Sequence, residues 1–301
     1  MSLTPEELQE RQRGLFSTDA APALGLSKYR SPVQVFLEKR GQPLAVEESE
    51  AMKMGHIMQP IIGRLYEHKS GRRLKDLEGT TLWSTDHGFM GSHFDFVTDD
   101  NSTLVETKNF HPARQKEFGD DGSDDVPMDC LVQCVHEAIV FGVRRVDLAV
   151  LFGGQTFRVY PLTIQQETVD MVVEREERFW QQVMERVAPP PTDPEETRRL
   201  FPKDNGQVII AAGDIFFDVN QLSKLREQMK SAEELEKQLM TKIQAAMGEA
   251  AGLATPGGDL LATWKLAKAG RRVDTDALKA AGLYDKFSKE TPGSRRFLLK
   301  V

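Results

Sequence analysis

The stretch from Phe89 to Phe110, FMGSHFDFVTDDNSTLVETKNF, reads as two short strands joined by a polar turn at Thr98-Asp99-Asp100-Asn101-Ser102. In the second strand the two-residue side-chain period puts Glu106 and Lys108 on one face and Val105 and Thr107 on the other. In the first strand Asp95 stands between Phe94 and Phe96. If the two strands pair as a hairpin, Asp95 comes near Glu106. Two carboxylates converging beside a lysine form an oxygen-rich site suited to Mg²⁺ or Mn²⁺. Phosphodiester cleavage needs such a site, because metals roughly 3.5 to 4 Å apart stabilise both the attacking and the leaving oxygen. Lys108 would hold or polarise the attacking water. An ordinary hairpin with a surface salt bridge carries the same residues, so other stretches of the chain have to decide.

At 301 residues, 40% hydrophobic and 28% charged, the chain is long enough for one substantial core plus an appended module. No apolar run is long enough to span a bilayer, and the start, MSLTPEELQERQ, lacks the apolar stretch of a signal peptide. A cytoplasmic protein with no membrane partner is expected. The two cysteines, Cys130 and Cys134, lie at i and i+4 in an apolar helical pattern, as reduced core thiols do. The net charge of -7 argues against a chain coated with basic residues for non-specific nucleic-acid binding. A local basic groove remains open, built from clusters such as Arg11/Arg13, Lys28/Arg30, Lys39/Arg40 and Arg72/Arg73/Lys75.

In chain order, Thr4 to Arg13 reads as a helix capped by Thr4 and Glu7, and a second helix starts near Ser31-Pro32. Between them Thr18 and Asp19 lie at a short helix start, where free amides could hold a phosphate and where a plain cap would look the same. Glu47 to Ser70 is a long helix ended by Gly71, kinked or restarted at Pro60. Gly55, one turn from Gln59, suggests a close approach by a substrate or by another element of the core. Pro112 to Asp125 is polar and acidic and is expected to be a mobile loop. A helix from Pro127 to Gly142 follows, with Gln133 and Glu137 sharing one face. A second hairpin, Val146–Phe152 with Thr156–Leu162, and an amphipathic segment from Ile164 to Val187 close the domain before Pro189-Pro190-Pro191.

The expected division is therefore 1–188 and 189–301. In the second part, Gln207 to Val219 looks strand-like. Leu222, Leu225, Met229, Ala232, Leu235, Leu239 and Ile243 then recur at helical spacing, as in a helical hairpin arm or a short coiled coil able to make a homo-oligomer. ATWKLAKAGRRV and SRRFLLKV read as basic strands of a small terminal β module that could touch a phosphate backbone.

The order of these parts, Thr18-Asp19, Gly55-x3-Gln59-Pro60, Asp95, Glu106-x-Lys108 and Gln133, resembles the YqaJ-type viral recombinase family. These are relatives of the phage lambda exonuclease within the PD-(D/E)XK nuclease superfamily, and the resemblance covers roughly Arg11 to Val187. It implies an α/β (α+β) fold with a restriction-endonuclease-like core, a central mixed sheet flanked by helices. It further implies a Mg²⁺-dependent exonuclease, with Mn²⁺ as substitute and two ions expected, that digests one strand of linear double-stranded DNA from its 5′ end. The 3′ overhang would pass to a single-strand annealing protein in the bacterial host cytoplasm.

By position, Asp95 and Glu106 match the metal-binding acids of that family, and the carbonyl of Thr107 completes the coordination. Lys108 matches the lysine that positions the water and Gln133 the glutamine of the following helix. Arg11 and Thr18, with Arg13, fall where relatives contact the terminal 5′ phosphate. Two departures stand out. Gln59 occupies the place of a metal-binding glutamate in the pattern G-x3-E-P, and an amide there weakens one metal position. The first strand reads SHFD where relatives often show SPD, leaving His93 as a spectator beside the acid or, alternatively, a metal ligand. A non-catalytic DNA-binding or recombination-scaffold protein on a degenerate nuclease fold is the alternative that Gln59 and the acidic charge suggest.

Overall fold

The computed structural model describes residues 9–42, 49–291 and 293–300. The chain divides into two compact units, Met1–Leu200 and Phe201–Val301. In the first unit the elements run β1 (Leu15–Phe16), α1 (Ser17–Ala23), α2 (Pro32–Lys39), α3 (Glu50–Ser70), β2 (Leu74–Asp76), β3 (Thr81–Trp83), β4 (Met90–His93), β5 (Phe96–Thr98) and β6 (Leu104–Phe110). A 3-10 helix (Pro112–Glu117), α4 (Met128–Phe141), β7 (Arg145–Phe152), β8 (Thr156–Thr163), α5 (Gln166–Glu185) and α6 (Pro194–Leu200) complete it.

The main sheet has five strands in the order β2-β5-β6-β7-β8. Its β6–β7 pair is parallel and the other pairs are antiparallel. A parallel pair needs a crossover, and α4 supplies it. Alternation along the strands sorts the side chains into two cores. Leu104, Leu148, Val150 and Phe152 join Cys134, Val135 and Ala138 of α4 on one face, while Phe96, Val105, Ala149 and Leu151 meet Ile62 and Tyr66 of α3 on the other. A mixed sheet flanked by helices is thus present as expected. A three-stranded sheet, β1-β4-β3, stands beside it.

The local signals for α2 hold: Ser31 accepts from the Gln34 amide at 3.2 Å and Pro32 opens the helix. Ser49 caps α3 and Gly71, at φ 72°, ends it. The Thr4 to Glu7 cap and the Glu47 start lie outside the described residues.

Several expectations are corrected. The Phe89–Phe110 stretch forms three strands, because β4 leaves the hairpin to pair with β1 and β3. α3 continues through Pro60 without restarting. An added Cβ at Gly55 would meet nothing within 4 Å, so no other element among the described residues approaches it; the close packing on α3 is at Gly63, where an added Cβ would sit 2.9 Å from the Phe96 ring. The segment expected to be a loop at Pro112–Asp125 contains the 3-10 helix and is anchored: Phe118 is buried, and Arg158 donates to the Gly119 carbonyl at 2.9 Å. The triproline does not end the first unit. Glu196 of α6 is buried and accepts from Thr192 and Ser31, which holds α6 against α2.

The second unit consists of α7 (Gly213–Met247), β9 (Gly252–Ala254), β10 (Leu260–Thr263), α8 (Thr275–Ala280) and α9 (Tyr284–Phe287). The helical repeat from Leu222 to Ile243 lies within α7, with Leu225, Met229, Leu235 and Leu239 exposed. Gln207–Val219 is not a strand; α7 begins inside it at Gly213. Of the two basic segments read as strands, only Ala262–Thr263 falls in one, paired with β9. Residues 264–273 and 293–300 contain none. Their hydrophobic residues alternate too briefly, and Leu266, Val273, Phe297 and Leu298 are exposed, so no core face holds them in register.

Candidate active site

The β5–β6 register, Phe96 opposite Val105, brings Asp95 beside Glu106 at the point where β5 has not yet begun. With no strand partner there, the Thr107 amide donates to Asp95 Oδ2 at 2.8 Å, and the Thr107 hydroxyl donates to the same oxygen at 2.5 Å. On the α4 face of β6, Lys108 Nζ donates to Glu106 Oε1 at 2.6 Å. Gln133 Nε2, reaching down from α4, donates to that same oxygen at 2.6 Å and to Glu137 Oε1 at 2.9 Å. Five of the expected residues therefore fall in two bonded sets side by side, Asp95 with Thr107 and Glu106 with Lys108 and Gln133.

Glu137 is the residue the sequence reading missed as a member of the site. It is buried, and its environment pushes its carboxyl well above the ordinary range, through burial first and then the charge of Glu106. Its signal was present: Gln133 and Glu137 are one turn apart on the helix that covers Glu106. Asp95 is also pushed up, to about 7, by burial and by Glu106, against the opposing bonds from Thr107 and the charge of Lys108. Burial would lower Lys108, but Glu106, Asp95 and Glu137 outweigh it and hold the ammonium far above its ordinary value.

Gln59 lies two turns before Tyr66 on α3, whose Ile62 and Tyr66 pack on the Val105 face of the sheet. Tyr66 donates to Asp147 at 2.6 Å near the start of β7. Among the described residues Gln59 makes no hydrogen bond to either bonded set. His93 stacks near Phe16, with ring centroids 5.0 Å apart.

The residues expected at a terminal phosphate are brought together in part. Arg11 Nη2 donates to Thr18 Oγ1 at 3.2 Å and to Asp19 Oδ1 at 3.0 Å. Asp19 is buried and also accepts from Arg30, from Lys39 at 2.5 Å and from the Phe16 amide, so the cap reading holds for Asp19. Burial would raise Asp19, but Lys39, Arg11 and Arg30 hold it far below the carboxylate range. Arg13 stands apart, over the Trp83 ring at 5.3 Å.

The YqaJ-like viral recombinase domain family matches residues 8–144. This segment resembles a YqaJ-like viral recombinase domain. The protein YqaJ of Bacillus subtilis (strain 168) is 27% identical over 307 residues, covering 98% of this chain and 93% of its own. Among solved structures, an alkaline exonuclease from Laribacter hongkongensis aligns with TM-score 0.49 at 11% identity, over 61% of this chain and 94% of that one. A phage-related exonuclease from Haemophilus somnus 129PT aligns with TM-score 0.45 at 11% identity, over 58% and 96%.

The donors of the two bonded sets suit a hard divalent cation. Three buried or half-buried carboxyls, Asp95, Glu106 and Glu137, face one ammonium, and that surplus of negative charge is what a cation relieves. Glu106 spends one oxygen on Lys108 and Gln133, and its Oε2 has no hydrogen bond among the described residues. No three acidic, histidine or cysteine side chains among the described residues close around an ion-sized gap. Behind the site His136 bridges Glu176 at 2.8 Å and the Gly91 carbonyl at 2.9 Å, locking α4 to α5 and β4. No helix of the described residues is long and apolar enough to cross a membrane.

Proposed function

We propose that the chain is a metal-dependent deoxyribonuclease that resects linear double-stranded DNA from its 5′ ends, leaving 3′ single-stranded overhangs for a strand-annealing partner. The observation that carries this reading is the side-by-side position of Asp95, Glu106 and Lys108 set by the β5–β6 register, with Gln133 bound to Glu106. Asp95, Glu106 and the Thr107 carbonyl, with Gln59 as a further ligand, would hold Mg²⁺ or Mn²⁺. The bound ion would acidify the attacking water and offset charge on the phosphate.

The chain's own residues do the rest. Lys108, which donates to Glu106 at 2.6 Å, would donate to the attacking water or the phosphate. Gln133 fixes the Glu106 oxygen that faces Lys108, leaving the other for the ion. Arg11 and Thr18, joined at 3.2 Å, would receive the 5′-terminal phosphate, with Arg13 farther out as a second cation. The experiment is cleavage of linear duplex with and without a 5′ phosphate, in Mg²⁺ and in chelator. Faster cutting of the phosphorylated end, lost in Arg11→Ala, supports the assignment; equal rates leave Arg11 as the partner of Asp19 alone. The second reading, a DNA-binding scaffold without chemistry, rests on Gln59 in place of an acid, and metal-independent binding without any cutting would favour it.

A further inference from the structure

Two residues beyond Lys108, β6 ends at Phe110, whose side chain shares the Glu106–Lys108 face. A cleft of about 330 Å³ opens there, lined by Lys28, Tyr29, Phe110, Arg114, Lys116 and Glu117. Tyr29 is 81% exposed, a large aromatic ring with no core to occupy. Its backbone is nevertheless fixed, because Ser27 Oγ accepts from the Tyr29 amide at 3.1 Å and from the Arg30 amide at 3.3 Å. Lys28 Nζ reaches across to Glu117 at 3.1 Å, tying this turn to the 3-10 helix. On the far wall the Arg114 guanidinium lies 4.1 Å from the Phe110 ring centre and is pinned by Asp129. Lys116 is exposed and makes no ion pair among the described residues.

We propose that this cleft binds an unpaired nucleotide of the DNA strand leaving the Lys108 site, with the base stacked on Tyr29 and the phosphate facing Lys116 and Lys28. The chemistry favours a nucleotide over an acidic peptide. Flat, exposed aromatic surface recognises any base, and the cations of the cleft track a phosphate backbone. The position matters as well, since the cleft continues the face of β6 that carries Glu106 and Lys108. In a chain of net charge -7, Lys28, Arg114 and Lys116 outnumber the one acid of the lining, Glu117. The inference rests on the nuclease reading only for its substrate class.

The test is fluorescence anisotropy of a short labelled oligothymidylate with the full chain in chelator, where no cutting occurs. Tyr29→Ala should weaken binding about tenfold, while Tyr29→Phe, which keeps the stacking face, binds as the parent does. Lys116→Gln should flatten the salt dependence by about 0.7 in log–log slope, the value for one phosphate contact on a single strand. Unchanged affinity in Tyr29→Ala, or an equal loss in Tyr29→Phe, overturns the stacking site, and so does a parent protein that does not bind the probe. A parent that binds in a Tyr29-dependent way yet leaves duplex uncut in Mg²⁺ supports the cleft and overturns the catalytic reading alone.

Discussion

Gln133 Nε2 lies 2.6 Å from Glu106 Oε1, so the amide from α4 holds the same carboxylate oxygen that Lys108 holds from within β6. Removing it frees Glu106 to rotate without removing any proposed ligand. Gln133→Ala should therefore cut turnover by about 10- to 100-fold, the usual effect of losing a group that orients a metal ligand. Thermal unfolding measured alongside should move little, since Gln133 is only half-buried.

Glu137 gives a prediction of opposite sign for stability. Its carboxyl is held well above its ordinary range, so above the unfolded value the folded state keeps a proton that the unfolded chain has lost, and deprotonating it costs stability. Glu137→Gln keeps the shape and removes that cost. The metal-free variant should melt higher than the parent at pH 8 and equal to it near pH 4, while Mn²⁺ affinity by titration calorimetry falls as the local negative charge drops.

Much of this site was legible because it depends on short-range rules. The strand period placed Glu106 with Lys108, and the turn at Thr98–Ser102 fixed which acid would face them. Tertiary pairing was not legible. The strand β4 has the same local texture as its neighbour, yet it pairs with β1, which is more than seventy residues away in the chain and only two residues long. Glu137 was visible as a helix neighbour of Gln133, but its burial depends on how α4 docks over β6. In the second unit, the apolar run at Val208-Ile209-Ile210 had the composition of a strand and no partner to pair with, so propensity alone misled.

The pH dependence of the site follows from Asp95. Its carboxyl is raised to about 7, so metal-free stability should fall as pH rises from about 4, where the unfolded group ionises, to about 7. A cation requires the ionised form, and its affinity should drop about tenfold per pH unit below 7. Melting curves with and without Mg²⁺ at pH 6 and pH 8 check this: the Mg²⁺-induced rise in Tm should be larger at pH 8.

Gln59 tests the metal assignment from the other face of the sheet. If Gln59 is a ligand, Gln59→Glu adds a full charge to the site and should tighten Mn²⁺ binding, with turnover free to stay flat if the gain is equal in ground and transition states. Unchanged Mn²⁺ affinity would mean that Gln59 faces only the α3 packing and has no part in the site.

The central claim is that Asp95, Glu106 and Lys108 form one metal-dependent cutting site for duplex ends. Single-turnover digestion of 5′-phosphorylated linear duplex, comparing the parent with Glu106→Ala at equal folded concentration, tests it most directly. The expected result is Mg²⁺-dependent release of nucleotides by the parent and at least a thousandfold loss in the variant, on the order of 4 kcal/mol of lost transition-state stabilisation. Undiminished cleavage by Glu106→Ala would contradict it.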